Sequence, residues 1–235
     1  MPVERMNLKH EDLTFLLTVA GGYILYKAYK KYRWSKRACE TKTDLINEIL
    51  FFPDSEFPCR TAFHAIAYDG YDERCKNLSC RKLHGYRNEP PSSFLKFVGY
   101  LGSARTSVDL CIYVFTQQFL AETLLILFDR GLKIRIITDY SENEAISSQL
   151  ARLQRAGFVD IKSNKRGTGA LMHHKFVIVD NKVLLSGSFN WTNKAVVSNY
   201  EAVLVTSSPD LVTPFQKKFE ELWETFPYHP VKNLH

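Results

Sequence analysis

From position 92 onward the apolar residues follow alternating helical and extended periods. In "SSFLKFVGYLGSA" (residues 92–104), Phe94, Phe97, Val98 and Leu101 recur at helical spacing behind Ser92 or Ser93 as N-cap. "SVDLCIYVFT" (107–116) alternates as a strand, and "QFLAETLLILFDRG" (118–131) reads as an amphipathic helix ended by Gly131. "KIRIITD" (133–139) predicts a second strand. "ENEAISSQLARLQRAG" (142–157) predicts a helix ended by Gly157, and "VDIKS" (159–163) a short strand. "LMHHKFVIVDNKVLLSGSFNWT" (171–192) reads as two strands around an Asp180–Asn181 turn. "EAVLVTS" (201–207) follows as a strand and "PDLVTPFQKKFEELWETF" (209–226) as a long helix. This order predicts an α/β domain: a mixed, mostly parallel sheet with helices on both faces.

The first 89 residues break the pattern. Residues 13–26 are uncharged and apolar, about 21 Å as a helix. A basic run follows: Lys27, Lys30, Lys31, Arg33, Lys36 and Arg37. With Lys27 and Lys30 snorkelling, the segment just spans a bilayer and leaves the rest of the chain on the cytosolic side. Two readings compete: a cleaved signal, which would want small residues where a basic block follows instead, and a core helix, although the segment is apolar nearly all round. The expected organisation is an anchor and basic flank (1–38), a linker or helix with a cysteine–histidine module (39–89), and a catalytic domain (90–235).

The chain has 235 residues, a net charge of +6 and an isoelectric point near 9.0. That excess favours an anionic partner such as nucleic acid or anionic lipid. The five cysteines are an odd number, which does not suit a secreted disulfide framework. Cys111 sits in an apolar strand pattern and is expected in the core; Cys39 has no assigned role. Cys59, Cys75, Cys80 and His84, with His64 as an alternative ligand, form a set suited to a structural zinc ion. The Cys80-x3-His84 step puts two ligands on one helical turn. The competing reading is three free cysteines in a surface excursion. A closed four-ligand site would leave no position for catalysis.

In a strand, residues two apart share a face, so His173 and Lys175 point together, with Val177 and Val179 continuing that face into the core. A two-residue turn at Asp180–Asn181 sets Ser188 opposite His173, with Asn190 close by. Lys, Ser and Asn donate hydrogen bonds to phosphate oxygens, and a histidine among them attacks phosphorus or protonates a leaving group. A purely structural hairpin would gather these polar groups at a cost. Glycine-rich "SNKRGTGALM" (163–172) reads as a loop beside the site, where Lys162, Lys165 and Arg166 are candidate phosphate contacts. No Rossmann or P-loop fingerprint appears.

The run His173-x-Lys175, Asp180, Gly187-Ser188 and Asn190 resembles the signature of the phospholipase D superfamily. The resemblance extends over residues 94–223. It implies a phospholipase D-like fold with His173 as nucleophile forming a phosphohistidine. Lys175 and Asn190 would bind phosphate, Ser188 would support them, and Asp180 would hold local structure. Glu201 resembles the carboxylate that orients the histidine. Larger members carry two such motifs and this chain one, so the resemblance implies a homodimer sharing one active site. No catalytic metal is expected.

The anchor, the cysteine–histidine insert and the single motif together resemble the Zucchini and mitochondrial phospholipase D group. That narrower likeness implies a single-pass protein of the mitochondrial outer membrane facing the cytosol. It implies an endoribonuclease that cuts single-stranded piRNA precursors, with piRNA-pathway proteins as partners, or alternatively a hydrolase of cardiolipin giving phosphatidic acid.

Overall fold

The structure, a computed structural model, describes residues 45–55, 57, 92–143, 148–158, 160–165 and 169–228. The anchor segment, all the candidate zinc ligands and Arg166 lie outside these residues. Among the described residues, no helix is long and apolar enough to cross a membrane, and no cluster of His, Cys, Asp or Glu is suited to a metal ion.

Seven strands form one sheet: β1 (Asn47–Phe52), β2 (Ser107–Ile112), β3 (Lys133–Thr138), β4 (Ile161–Ser163), β5 (Lys175–Val179), β6 (Val183–Gly187) and β7 (Glu201–Thr206). The helices are α1 (Ser93–Gly102), α2 (Gln118–Asp129), α3 (Tyr140–Asn143), α4 (Leu150–Arg155), α5 (Asn193–Val197) and α6 (Pro209–Thr225). The spatial order is β1-β7-β6-β5-β2-β3-β4.

This corrects one expectation. Only β2/β3 and β3/β4 pair in parallel; the other four neighbours are antiparallel. Parallel pairing needs a crossover long enough to return the chain, as α2 provides between β2 and β3. The short β5–β6 turn admits only the antiparallel arrangement. The sheet also begins earlier than the expected boundary at position 90. "NEILFF", within the stretch read as linker, is the edge strand β1 and pairs with β7 from Asn47 opposite Thr206 to Phe52 opposite Glu201. The predicted helix over 142–157 is observed as α3 and α4, with residues 144–147 undescribed.

Alternation along the strands divides the core. Val177 and Val179 of β5 join Val108, Leu110, Leu185 and Val203 beneath α1 and α2. Phe176 and Ile178 face the opposite way and pack with Cys111, Leu184 and Val212, Phe219 and Trp223 of α6. Period two on the strands and period 3.6 on the helices thus bury both sheet faces. Helix α1 starts where Ser92 Oγ accepts from the Leu95 N–H at 3.3 Å, and Asp54 accepts from the Ser93 and Phe94 N–H groups. Helix α1 also holds β1: Glu48 pairs with Lys96 and accepts from the Tyr100 hydroxyl at 2.8 Å. Burial and that carboxylate push the Tyr100 phenol up to about 12.

A buried ion cluster fixes α6 to the sheet. Arg135 of β3 donates from Nε to one oxygen of Asp109 at 2.7 Å and from Nη2 to the other at 2.8 Å. It also grips Glu220 of α6 at 2.6 and 2.8 Å, and its guanidinium lies over the Phe219 ring at 4.8 Å. The hydrogen-bonded carboxylates outweigh burial and hold the guanidinium charged. Removing one partner leaves the other charge buried and unpaired. Arg135→Met is therefore expected to destabilise the domain by about 3–5 kcal/mol. Asp109→Leu/Arg135→Met is expected to recover much of that loss, and urea unfolding of the three proteins checks both.

Candidate active site

One end of the sheet carries the chemistry. There β2 exits into Tyr113, β5 begins at Lys175 just after His173, β6 ends at Gly187–Ser188, and β7 begins at Glu201. The antiparallel arrangement of β2, β6 and β7 around β5 brings these four points to the same edge.

The turn beyond β5 has the chemistry expected: Asp180 and Asn181 both have left-handed φ, 54° and 55°. The register differs by one residue. Val179 faces Val183 and Phe176 faces Ser186, so Ser188 is not the ladder partner of His173. A residue past the turn is left out of the ladder, which moves the whole of β6 by one position. Ser188 reaches the site because the chain leaves the ladder after Gly187.

His173 is exposed, and its ring packs on Tyr113 with centroids 4.5 Å apart. Its imidazole makes no hydrogen bond among the described residues. Lys175 donates to the His173 carbonyl at 2.8 Å, and its ammonium lies 5.0 Å from the centre of the Tyr113 ring. Burial lowers the Lys175 pKa, and the charge of Glu201 partly opposes the shift. Glu201 accepts from Ser188 Oγ and, at 3.0 Å, from Asn199 Nδ2. Within the described residues Glu201 therefore serves Ser188 and Asn199 rather than the His173 ring. Half-buried Asn190 has its Oδ1 unpartnered, so that acceptor is not spent on the fold.

Asp180 stands at the other end of β5. Its carboxylate accepts from the backbone N–H groups of Arg105, Thr106 and Ser107 and from the Thr106 hydroxyl, at 2.7–3.0 Å. Four donors and a strand's length separate it from the reacting groups, so its role is to pin the start of β2. Lys162 is also removed from the candidate phosphate contacts. It is buried, donates to the Trp223 carbonyl at 2.5 Å, and lies 4.8 and 4.5 Å from the Trp223 and Tyr228 rings. Lys165 is exposed on the loop after β4.

Four supporting groups were not foreseen: Tyr113, Asn199, Asp139 and Asn164. Asp139, just past β3, accepts from the Met172 N–H at 2.8 Å and from Asn164 Nδ2 at 2.9 Å; it also binds Ser141. Asn164 in turn donates to the Ala170 carbonyl at 2.8 Å. The two residues clamp the chain immediately before His173. The sequence signal was slight: an aspartate at a strand's end, followed by a serine it can bind.

An exposed imidazole beside an ammonium, a carboxylate-held serine and a carboxamide whose acceptor is unpartnered is equipment suited to phosphodiester chemistry. The family described as "Cardiolipin synthase, PLD-like domain" matches residues 97–223. A protein from Chlamydomonas reinhardtii named mitochondrial cardiolipin hydrolase is 36% identical, over 76% of this chain and 74% of its own length. One of the same name from Mus musculus is 33% identical, over 89% and 90%. Among solved structures, NucT from Helicobacter pylori superposes with a TM-score of 0.57 at 21% identity, covering 79% of this chain and all of its own. Nuc from Salmonella typhimurium, a phospholipase D family member, gives 0.53 at 20%, covering 79% and 99%. The chain belongs to the PLD-like family of the phospholipase D superfamily and is a hydrolase acting on phosphodiesters.

The clamp has a pH signature. Burial alone would raise the Asp139 pKa, but hydrogen bonds from Ser141, Met172 and Asn164 outweigh it and hold the carboxyl below its usual range. A group whose folded pKa is depressed stabilises above its unfolded pKa and loses that contribution as pH falls through the folded value. Asp139→Asn should lower stability at neutral pH and flatten the decline on acidification below the usual carboxylate range. Urea unfolding of both proteins across that range measures the difference.

Proposed function

We propose that the chain is an endoribonuclease that cuts single-stranded RNA, among them piRNA precursors, through a phosphohistidine. The observation that carries the reading is the convergence of His173, Lys175, Ser188, Asn190 and Glu201 on one open sheet end. His173 attacks phosphorus, the N–P bond forms, and the P–O bond to the 3′ oxygen of the upstream fragment breaks. A second imidazole protonates that oxygen. Water then cleaves the N–P bond and leaves a 5′-phosphate on the downstream fragment. Lys175 and Asn190 hold the non-bridging oxygens, with Ser188 braced by Glu201. The second imidazole comes from a second copy, so the active unit is a homodimer with one shared site. The exposure of His173, Gly187 and Ser188 suits completion by another copy. Exposed Tyr200, 93% accessible and adjacent to Glu201, offers an aromatic face of the sort on which unpaired bases stack.

Cardiolipin is the second reading, and what favours it is the name of the relatives, mitochondrial cardiolipin hydrolase. The same residues would transfer a phosphatidyl group to water. Either substrate fits a chain anchored by residues 13–26 in the mitochondrial outer membrane and facing the cytosol.

Purified wild type and His173→Asn, offered labelled RNA and cardiolipin vesicles with EDTA present, test the proposal. RNA products are expected to carry 5′-phosphate and 3′-hydroxyl ends, and His173→Asn should be inactive. Excess His173→Asn should also drain activity from wild type by forming mixed dimers. Products ending in 2′,3′-cyclic phosphate would rule out the histidine nucleophile, and cleavage of cardiolipin alone would select the lipid reading.

Cys59, Cys75, Cys80 and His84, or His64 in place of His84, are proposed to hold a structural zinc ion. Metal analysis is expected to find zinc in the purified wild type and to find it lost in Cys75→Ser/Cys80→Ser.

A further inference from the structure

The mechanism leaves a feature beside the nucleophile unused. A cleft of about 370 Å³, bordered by His173 itself, opens between the start of β5, the end of β6 and the middle of α6. Its floor is apolar: buried Phe176 meets Phe215 edge to face at 5.0 Å, with Pro214 alongside. Its rim carries two ammonium groups, those of Lys175 and Lys218, with the His174 imidazole alongside. Lys175 serves the scissile phosphate, but His174 and Lys218 have no part in that chemistry.

The rim charge is poorly compensated. Among the described residues Lys218 pairs with Glu221, an exposed neighbour one turn along α6, at 2.7 Å. Such pairs contribute little and leave the ammonium open to a competing anion. The imidazole of His174 is disfavoured as a cation, first by burial and then by the fields of Lys218, Lys175 and His173. Like charges gathered at one mouth repel unless an anion joins them.

We propose that this cleft seats the nucleotide next to the scissile phosphate, its own phosphate on the His174–Lys218 rim and its base against Phe215. The assignment rests on the RNA reading. A strand presents charge and an aromatic plane at every step, matching a cationic rim beside an aromatic floor. Cardiolipin also carries a second phosphate that could meet the rim, but it has no aromatic plane to set against Phe215.

Steady-state cleavage of a single-stranded RNA oligonucleotide by wild type, Lys218→Gln and Phe215→Ala tests it, with cardiolipin vesicles in parallel. Lys218 is solvent-exposed on α6, so Lys218→Gln is expected to fold even if Phe215→Ala does not. Both variants should raise KM for RNA about tenfold with kcat within about twofold, the scale of one lost stacking or charge contact. Lys218→Gln should also reduce the slope of log KM against log salt by about one unit. Unchanged KM and salt slope in a wild type that cuts RNA would overturn the subsite alone. A KM that rises for cardiolipin and not for RNA would overturn it in favour of a lipid site. Wild type that leaves RNA intact would remove the RNA reading and this subsite with it.

Discussion

The site depends on how closely β6 approaches β7 at Gly187. A Cβ there would meet the Ala202 carbonyl oxygen at 1.9 Å, so no other residue fits without moving one strand. The contact lets the Ser188 N–H donate to that same carbonyl at 3.1 Å, while Ser188 Oγ accepts from the Ala202 N–H at 3.2 Å and donates to Glu201. Phe189 then turns into the core and stacks on Phe52 at 4.3 Å. Trp191 is stitched to the exit of β2 through its N–H to the Val114 carbonyl and through two N–H bonds that its own carbonyl accepts. Ser188, Asn190 and Glu201 are thus fixed in relation to Tyr113, on which His173 packs. The glycine matters for the site through the space it leaves empty.

What the sequence revealed and concealed follows the range of the interactions. Elements that bury one face locally declared themselves: α1, α2, α6, β2, β3 and the β5–β6 hairpin all carry clean periods. Strand β1 did not, because a short apolar run beside a proline is ambiguous and its partner β7 lies some 150 residues along the chain. The mostly parallel sheet was an extension of the β2-α2-β3 pattern to a C-terminal half that uses direct returns instead. The site shows the same division. His173, Lys175, Ser188 and Asn190 stand out as candidates in the sequence because their spacing is local and chemically costly without a use. Asp139 and Asn164 were not, because their partners at Ala170 and Met172 approach only through folding. Lys162 misled for the converse reason: a basic loop pattern gives no hint of the Trp223 and Tyr228 rings that enclose it.

The two sheet faces do different work at the site end. Beneath α1 and α2 the packing is wholly apolar and gives β2, β5 and β7 a rigid base. On the α6 side, the Asp109–Arg135–Glu220 cluster adds directional contacts, which fix where α6 lies along the sheet more closely than oil-like burial would. That placement matters because Phe215 and Lys218 stand on the same helix, both within about a turn and a half of Glu220. The ion cluster is far from the reacting phosphorus, yet it sets the wall of the cleft beside it.

The local electrostatics explain why such a site is open. Lys175 loses part of its hydration to burial, and the nearest opposing charge, Glu201, is already engaged by Ser188 and Asn199. A carboxylate bound directly to Lys175 would stabilise the resting ammonium and compete with substrate. Held by neutral donors instead, Glu201 opposes the lysine's loss of its proton without binding the ammonium, which donates to the His173 carbonyl. On the reading proposed above, a phosphodiester at His173 would not have to break an ion pair with Lys175 to bind, and donors oriented in advance are the condition for stabilising charge as it shifts on a transferring phosphoryl group.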